Sequence, residues 1–208
     1  MNNNSQPAKS PSGDLGVIAI IKYNAGNISS VKNAVERLGF ECIITDNPDE
    51  ITCAEKVIFP GVGEASSAMK YLLERNLDTL IKSLTQPVLG ICLGLQLMCR
   101  HSEEGNTDCL GIFDAAVKKF PSTDIVPHIG WNNLYDTTSL LFNGFGNNDT
   151  VYFVHSYFAE ICEQTIAKCN YILPFSAAMR KNNFFATQFH PEKSGNVGEK
   201  ILKNFLSL

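Results

Sequence analysis

The chain has 208 residues, of which 44% are hydrophobic and 18% charged, and its formal net charge is −4. That length suits one large α/β domain whose core needs no staples, and a net negative chain without a basic stripe excludes a nucleic acid backbone as the expected partner. Seven cysteines, odd in number and free of zinc-type CxxC pairs, suggest neither a disulfide framework nor a structural metal site, and so a reducing compartment.

Residues 1–15 are polar, rich in Asn, Ser and Pro, and lack the apolar core of a signal peptide, so a disordered N-terminal extension is expected there and a single domain over 16–208. No apolar run approaches the roughly 20 residues of a membrane helix, and a cytoplasmic protein is expected. Val17 to Ile21 is a β-branched strand, and Ser29 to Leu38 carries apolar residues at helical spacing before Gly39. Strands follow at Glu41 to Thr45 and at Lys56 to Phe59, the latter running into Pro60-Gly61-Val62-Gly63. Met69 to Leu84 reads as one helix, Val88 to Ile91 as a buried strand, and Leu95 to Met98 as the start of another helix. The second half offers short strands at Ala116 to Phe120, Asn133 to Tyr135, Val151 to Phe158, Thr165 to Tyr171, Ala177 to Arg180 and Phe184 to Gln188, several of them antiparallel, and a closing helix from Gly198 to Leu208. Strands alternating with helices predict an α/β fold, an open and mostly parallel twisted sheet with helices on both faces.

Cys92 sits between Gly90 and Gly94, directly after a buried strand and before a helix. This is the sequence form of a nucleophile elbow, in which flanking glycines let neighbouring backbone pass close to a strained turn. The elbow aims the thiol at a helix N-terminus, where free amides favour the thiolate, and makes the Leu93 amide a candidate oxyanion donor. A lone cysteine is more often a small buried apolar residue, and Cys42, Cys53, Cys99, Cys109, Cys162 and Cys169, which lack such a turn, keep that reading. Of the histidines at 101, 128, 155 and 190, only His190 has a carboxylate close by: a strand ends at His190-Pro191-Glu192. Glu192 there can fix the ring tautomer and stabilise an imidazolium.

Gly90-Ile-Cys-Leu-Gly-Leu-Gln96 together with Gln188-Phe-His-Pro-Glu192 resembles the class I, triad-type glutamine amidotransferases, whose architecture is flavodoxin-like. Within that class the chain is most similar to glutaminase subunits of imidazole glycerol phosphate synthase, through Pro60-Gly-Val-Gly63, Pro127-His-Ile-Gly-Trp-Asn132, Tyr152-Phe-Val-His-Ser-Tyr157 and Phe189-His-Pro-Glu-Lys-Ser194. The resemblance spans about residues 16 to 208. It implies that Cys92 attacks the carboxamide of glutamine, forms a γ-glutamyl thioester and releases ammonia to a (β/α)8-barrel synthase subunit in a heterodimer of the histidine pathway. No cofactor and no metal is implied for this subunit.

Residue by residue, the resemblance makes Cys92, His190 and Glu192 the catalytic triad. Gly61 and Val62 fall in its oxyanion strand, Gln96 and Glu104 in its glutamine contacts, and Ser156 and Tyr157 in the segment that holds the substrate α-carboxylate. Asn27, Trp131, Asn132, Tyr152 and Lys193 match partner-facing or gating positions. Lys22 departs from the family, which usually shows Asp there. A paralogous glutaminase that supplies another acceptor, such as an amino sugar, shares these residues, because the acceptor chemistry lies on the partner.

Overall fold

In the computed structural model, which describes residues 16–23 and 27–208, the first β-branched run forms β1 (Ile18–Ile21), with α1 (Ile28–Arg37) and β2 (Cys42–Thr45) after it. The expectation for residues 1–15 falls outside the described residues. Next come α2 (Pro48–Cys53), β3 (Lys56–Gly61), α3 (Ala65–Glu74), α4 (Leu77–Ser83), β4 (Val88–Cys92) and α5 (Leu93–Met98). The second half holds β5 (His101–Ser102), β6 (Thr107–Asp108), β7 (Ala116–Lys119), β8 (His128–Asn133), β9 (Thr150–His155), β10 (Tyr157–Ala159), β11 (Thr165–Asn170), β12 (Pro174–Lys181), β13 (Phe184–Thr187) and α6 (Gly195–Leu206).

Seven strands make the central sheet in the order β11-β12-β13-β4-β3-β1-β2. The five from β13 to β2 are parallel, and β11 and β12 extend the sheet antiparallel, so the predicted fold class holds. The parallel part has the doubly wound strand order in which ligands bind beyond the carboxyl ends of the strands. Side-chain alternation divides the core between the two faces. Ala19, Ile21, Val57 and Phe59 pack beneath α3, α4 and α5, while Ile18, Ile20, Ile58 and Leu89 pack with Val31 and Val35 of α1 and Ile201, Leu202 and Phe205 of α6.

Four details depart from the sequence reading. The apolar stripe from Met69 to Leu84 is split into α3 and α4, because Asn76 takes a left-handed conformation at φ 56°. The short α2 was not expected; Asn47 caps it by accepting from the Asp49 amide, and Pro48 opens it. The strand read at Asn133 to Tyr135 lies earlier, as β8, and Tyr135 keeps only a bridge to Lys168. The single run Val151 to Phe158 is interrupted at Ser156: β9 pairs with β8 in a separate ribbon, and β10 joins a small four-stranded sheet with β7, β5 and β6.

The β4–α5 corner depends on close backbone contact. A Cβ on Gly94 would lie 1.9 Å from the Phe59 carbonyl oxygen of β3, and one on Gly90 would lie 3.0 Å from the Gly94 carbonyl carbon. Gly94 is therefore required by contact with backbone that cannot move aside. Gly94→Ala should destabilise the domain by about 1–3 kcal/mol, read from the midpoint of a denaturant melt; a midpoint equal to that of the parent chain would contradict this packing.

Candidate active site

The carboxyl ends of β1, β3, β4 and β13 bring Tyr23, Gly61, Cys92 and His190 to one edge of the sheet. Parallel pairing of β3 with β4 sets Gly61 opposite Cys92. Cys92 has φ 54° and ψ −105°, a conformation that L-residues rarely adopt, and α5 begins at the next residue. Such strain persists only where the surroundings over-determine it, and here the β3 pairing and the Gly90–Gly94 contact do so.

Cys92 opens into a cavity of about 280 Å³. Val62, Gly63, Leu93, Gln96 and Glu104 from the first half of the chain line it together with Pro127, Val154, His155, Ser156 and Tyr157 from the second. Six sequence-selected residues besides Cys92 are thus brought to one space: Val62, Leu93, Gln96, Glu104, Ser156 and Tyr157. Gly61 lies just beneath, and a Cβ there would meet the Tyr23 hydroxyl at 1.9 Å. Glu104 accepts a hydrogen bond from the Ala65 amide at 2.8 Å, and burial, aided by the nearby Glu64 carboxylate, raises its pKa above the usual carboxylate value.

Behind the cavity, His190 Nδ1 lies 2.8 Å from Glu192 Oε1, and both side chains are almost wholly buried. Cys92 Sγ does not meet hydrogen-bond geometry with His190 Nε2, which is buried without a partner, yet it is near enough to act on the ring electrostatically. Burial alone would disfavour the imidazolium. The electrostatic and hydrogen-bonding influence of Cys92, and then the Glu192 carboxylate, outweigh it and push the His190 pKa up to about 10. The arrangement thus favours the charged ring, which faces the Cys92 sulfur.

Three features were not foreseen from sequence. Asn27, expected at a partner-facing position, donates from Nδ2 to Glu192 Oε1 at 2.6 Å, so one oxygen takes two donors while Glu192 Oε2 has none. Gln188 donates from Nε2 to Cys92 Sγ at 3.7 Å and accepts from Gln96 Nε2 at 3.1 Å. Tyr23 buries an unpartnered hydroxyl whose pKa is raised well above 10 by burial and further by the charge of Cys92. Position after a strand end could have suggested Tyr23, but Asn27 lies 165 residues from Glu192 and no local pattern links them.

The remaining selected residues lie on the neighbouring surface. Trp131 is 55% exposed and sits opposite Tyr152 in the β8–β9 ribbon, with their rings 6.0 Å apart. Ile129, two residues back on the same face of β8, is 60% exposed. Lys193 and Lys22 are exposed, whereas the Asn132 side chain turns inward to His128 and the Asn170 carbonyl.

The model of the family Glutamine amidotransferase class-I matches residues 19–208. The imidazole glycerol phosphate synthase subunit HisH of Bacteroides thetaiotaomicron is 58% identical over 194 residues, covering 92% of this chain and 99% of that protein. HisH of Escherichia coli strain K12 is 47% identical over the same shares of both chains. Among solved structures, PurLQS from Thermotoga maritima superposes with a TM-score of 0.68 at 16% identity, covering 92% of this chain and 98% of that one, a likeness of fold.

The three central histidines differ in charge state. In a titration followed by imidazole carbon shifts, His190 should keep its charged-ring signal through neutral pH and lose it only near 10. His128 and His155, which burial lowers to about 4 and about 3, should stay neutral into acid. The unfolded chain takes up the latter two protons near pH 6.5, so folding stability should fall as pH drops from there toward 3. A His190 midpoint near 6.5 would contradict the arrangement around Cys92.

Proposed function

Because this chain belongs to the class I glutamine amidotransferase family, and within it to the HisH subunits of imidazole glycerol phosphate synthase, we propose that its Cys92 site releases ammonia from glutamine for that synthase in histidine biosynthesis. The observation that carries the chemistry is the placement of a cavity-facing thiol, on a strained backbone, beside a buried His190–Glu192 pair.

Glutamine enters the cavity with its carboxamide toward Cys92. The thiolate attacks the carbonyl carbon, and the developing oxyanion is met by the Leu93 amide and, from the β3 end, by the amide of Val62 beyond Gly61. The tetrahedral intermediate collapses as the C–N bond breaks, and His190 gives its proton to the leaving nitrogen, which departs as ammonia. Neutral His190 next takes a proton from water, whose hydroxide attacks the γ-glutamyl thioester, and glutamate leaves as the Cys92 thiolate returns with a charged ring. Glu192 holds Nδ1 through both halves and is itself held by Asn27. Glu104 and Gln96 receive the substrate's α-ammonium end, and Ser156 and Tyr157 its α-carboxylate. No step calls for a metal or an organic cofactor.

The face bearing Trp131, Tyr152 and Lys193 is the docking surface for the synthase subunit, for which a (β/α)8 barrel is the expected form, and Asn132 supports that face from within. Ile129 and Trp131 supply an apolar patch of the kind that marks protein contacts. Ammonia released at Cys92 then passes to the partner's acceptor. Identities of 47% to 59% to HisH proteins over nearly the full chain support the histidine pathway over an amino-sugar acceptor.

Mixed with glutamine, a barrel synthase subunit and its ribonucleotide substrate, the protein should release glutamate at least about tenfold faster than alone, a coupling on the scale of other two-site systems. Cys92→Ala should abolish that release while leaving complex formation intact. Equal rates with and without the loaded partner would remove the synthase assignment, and residual turnover in C92A would remove Cys92 as nucleophile.

A further inference from the structure

Outside the triad, a buried polar cluster stands behind the cavity wall. His155 lines the cavity, and its Nδ1 donates to the Tyr157 carbonyl at 2.8 Å. A carbonyl only accepts, so that contact fixes the proton on Nδ1 and leaves Nε2 an acceptor. His128 Nδ1 lies 3.0 Å from that Nε2 and so donates to it, which leaves His128 Nε2 to accept from Asn132 Nδ2 at 3.4 Å. Beyond the Tyr157 carbonyl the chain continues: Gln96 Nε2 donates there at 2.9 Å and to Gln188 Oε1, and Gln188 Nε2 points to Cys92 Sγ. Hydrogen bonds therefore connect Asn132 on β8 to the nucleophile without a gap.

The surroundings make this polarity informative. His128 is stacked between Tyr171, at 4.0 Å, and Phe153, at 4.8 Å, and Phe120 and Phe175 stand 5.3 and 5.1 Å from His155. Such a box would hold two apolar rings with no polar atoms to satisfy. Both imidazoles are neutral at physiological pH because burial disfavours their charge, so they serve as directed donor and acceptor rather than as acids or bases.

We propose that His128 and His155 are positioning residues for glutamine: through the Tyr157 carbonyl they set the cavity wall that holds the substrate α-carboxylate, and through Asn132 they tie that wall to the β8–β9 ribbon. The inference rests on the glutaminase reading of the cavity. Because Ile129 and Trp131 project from the outer side of the same strand, occupation of that face bears on the wall through this relay.

Two substitutions at one position separate hydrogen bonding from packing. His128→Phe keeps an aromatic ring between Tyr171 and Phe153 but leaves His155 Nε2 unsatisfied; His128→Asn keeps a donor near Nδ1 and gives up the stacking. Steady-state glutaminase kinetics are measured for the complex with the synthase subunit, with glutamate release by the unsubstituted complex as the control for the function itself. H128F should raise KM for glutamine about tenfold with kcat changed less than about threefold, and H128N should lie within about threefold of the parent KM. A KM for H128F within about twofold of the parent, or equal losses in H128F and H128N, would overturn the proposal. If circular dichroism shows H128F unfolded, Asn132→Ala cuts the outer end of the relay and should raise KM about threefold, and an unchanged KM overturns it in the same way.

Discussion

The backbone at Cys92 is the constraint around which the site is arranged. A residue held at positive φ between β4 and α5 costs about 1–3 kcal/mol, and the cost is met only where the strand before it and the helix after it are both fixed. β4 is fixed by parallel pairing to β3 and β13, and α5 by the approach of Gly94 to the Phe59 carbonyl. A fixed backbone thus presents the thiol to the cavity. A molecule entering the cavity then meets a thiol whose backbone needs no reorganisation.

Around this fixed sulfur the structure leaves polar groups unpaired. His190 Nε2, Glu192 Oε2 and the Tyr23 hydroxyl are the buried side-chain atoms without hydrogen-bond partners among the described residues, and all lie in the Cys92–His190–Glu192 cluster or beside it. Elsewhere, buried polar atoms such as those of Ser176, Ser194 and the His128–His155 pair are satisfied. Unsatisfied groups confined to one place are stored interaction capacity, available to substrate, water and moving protons. The charge balance follows the same logic, with burial opposing a charged His190 while Cys92 and Glu192 favour it.

Much of this was legible in the sequence where local rules act. The elbow announces itself through Gly90 and Gly94, and short apolar runs mark the inner parallel strands, because strands buried on both faces need continuous apolar residues. What failed is instructive. β8 was misplaced because its alternation is inverted: His128, nearly fully buried, and the inward-turned Asn132 face the interior while Ile129 and Trp131 face out. The helix stripe through Met69 and Leu84 carries no sign of the break at Asn76, since apolar spacing is blind to a single left-handed residue. Asn27 was assigned outward by resemblance, and its bond to Glu192 depends on a contact that only the folded sheet creates.

The division of labour between this chain and its synthase places carbon–nitrogen cleavage here and the use of ammonia elsewhere, so the account stands or falls on the covalent step at Cys92. The direct measurement is peptide mapping by mass spectrometry after rapid acid quench of the complex turning over glutamine. A γ-glutamyl adduct on the peptide containing Cys92, absent from C92A, is the expected result. An adduct on any of the other six cysteines, or glutamate formation with no adduct at Cys92 under conditions that slow thioester hydrolysis, would contradict it.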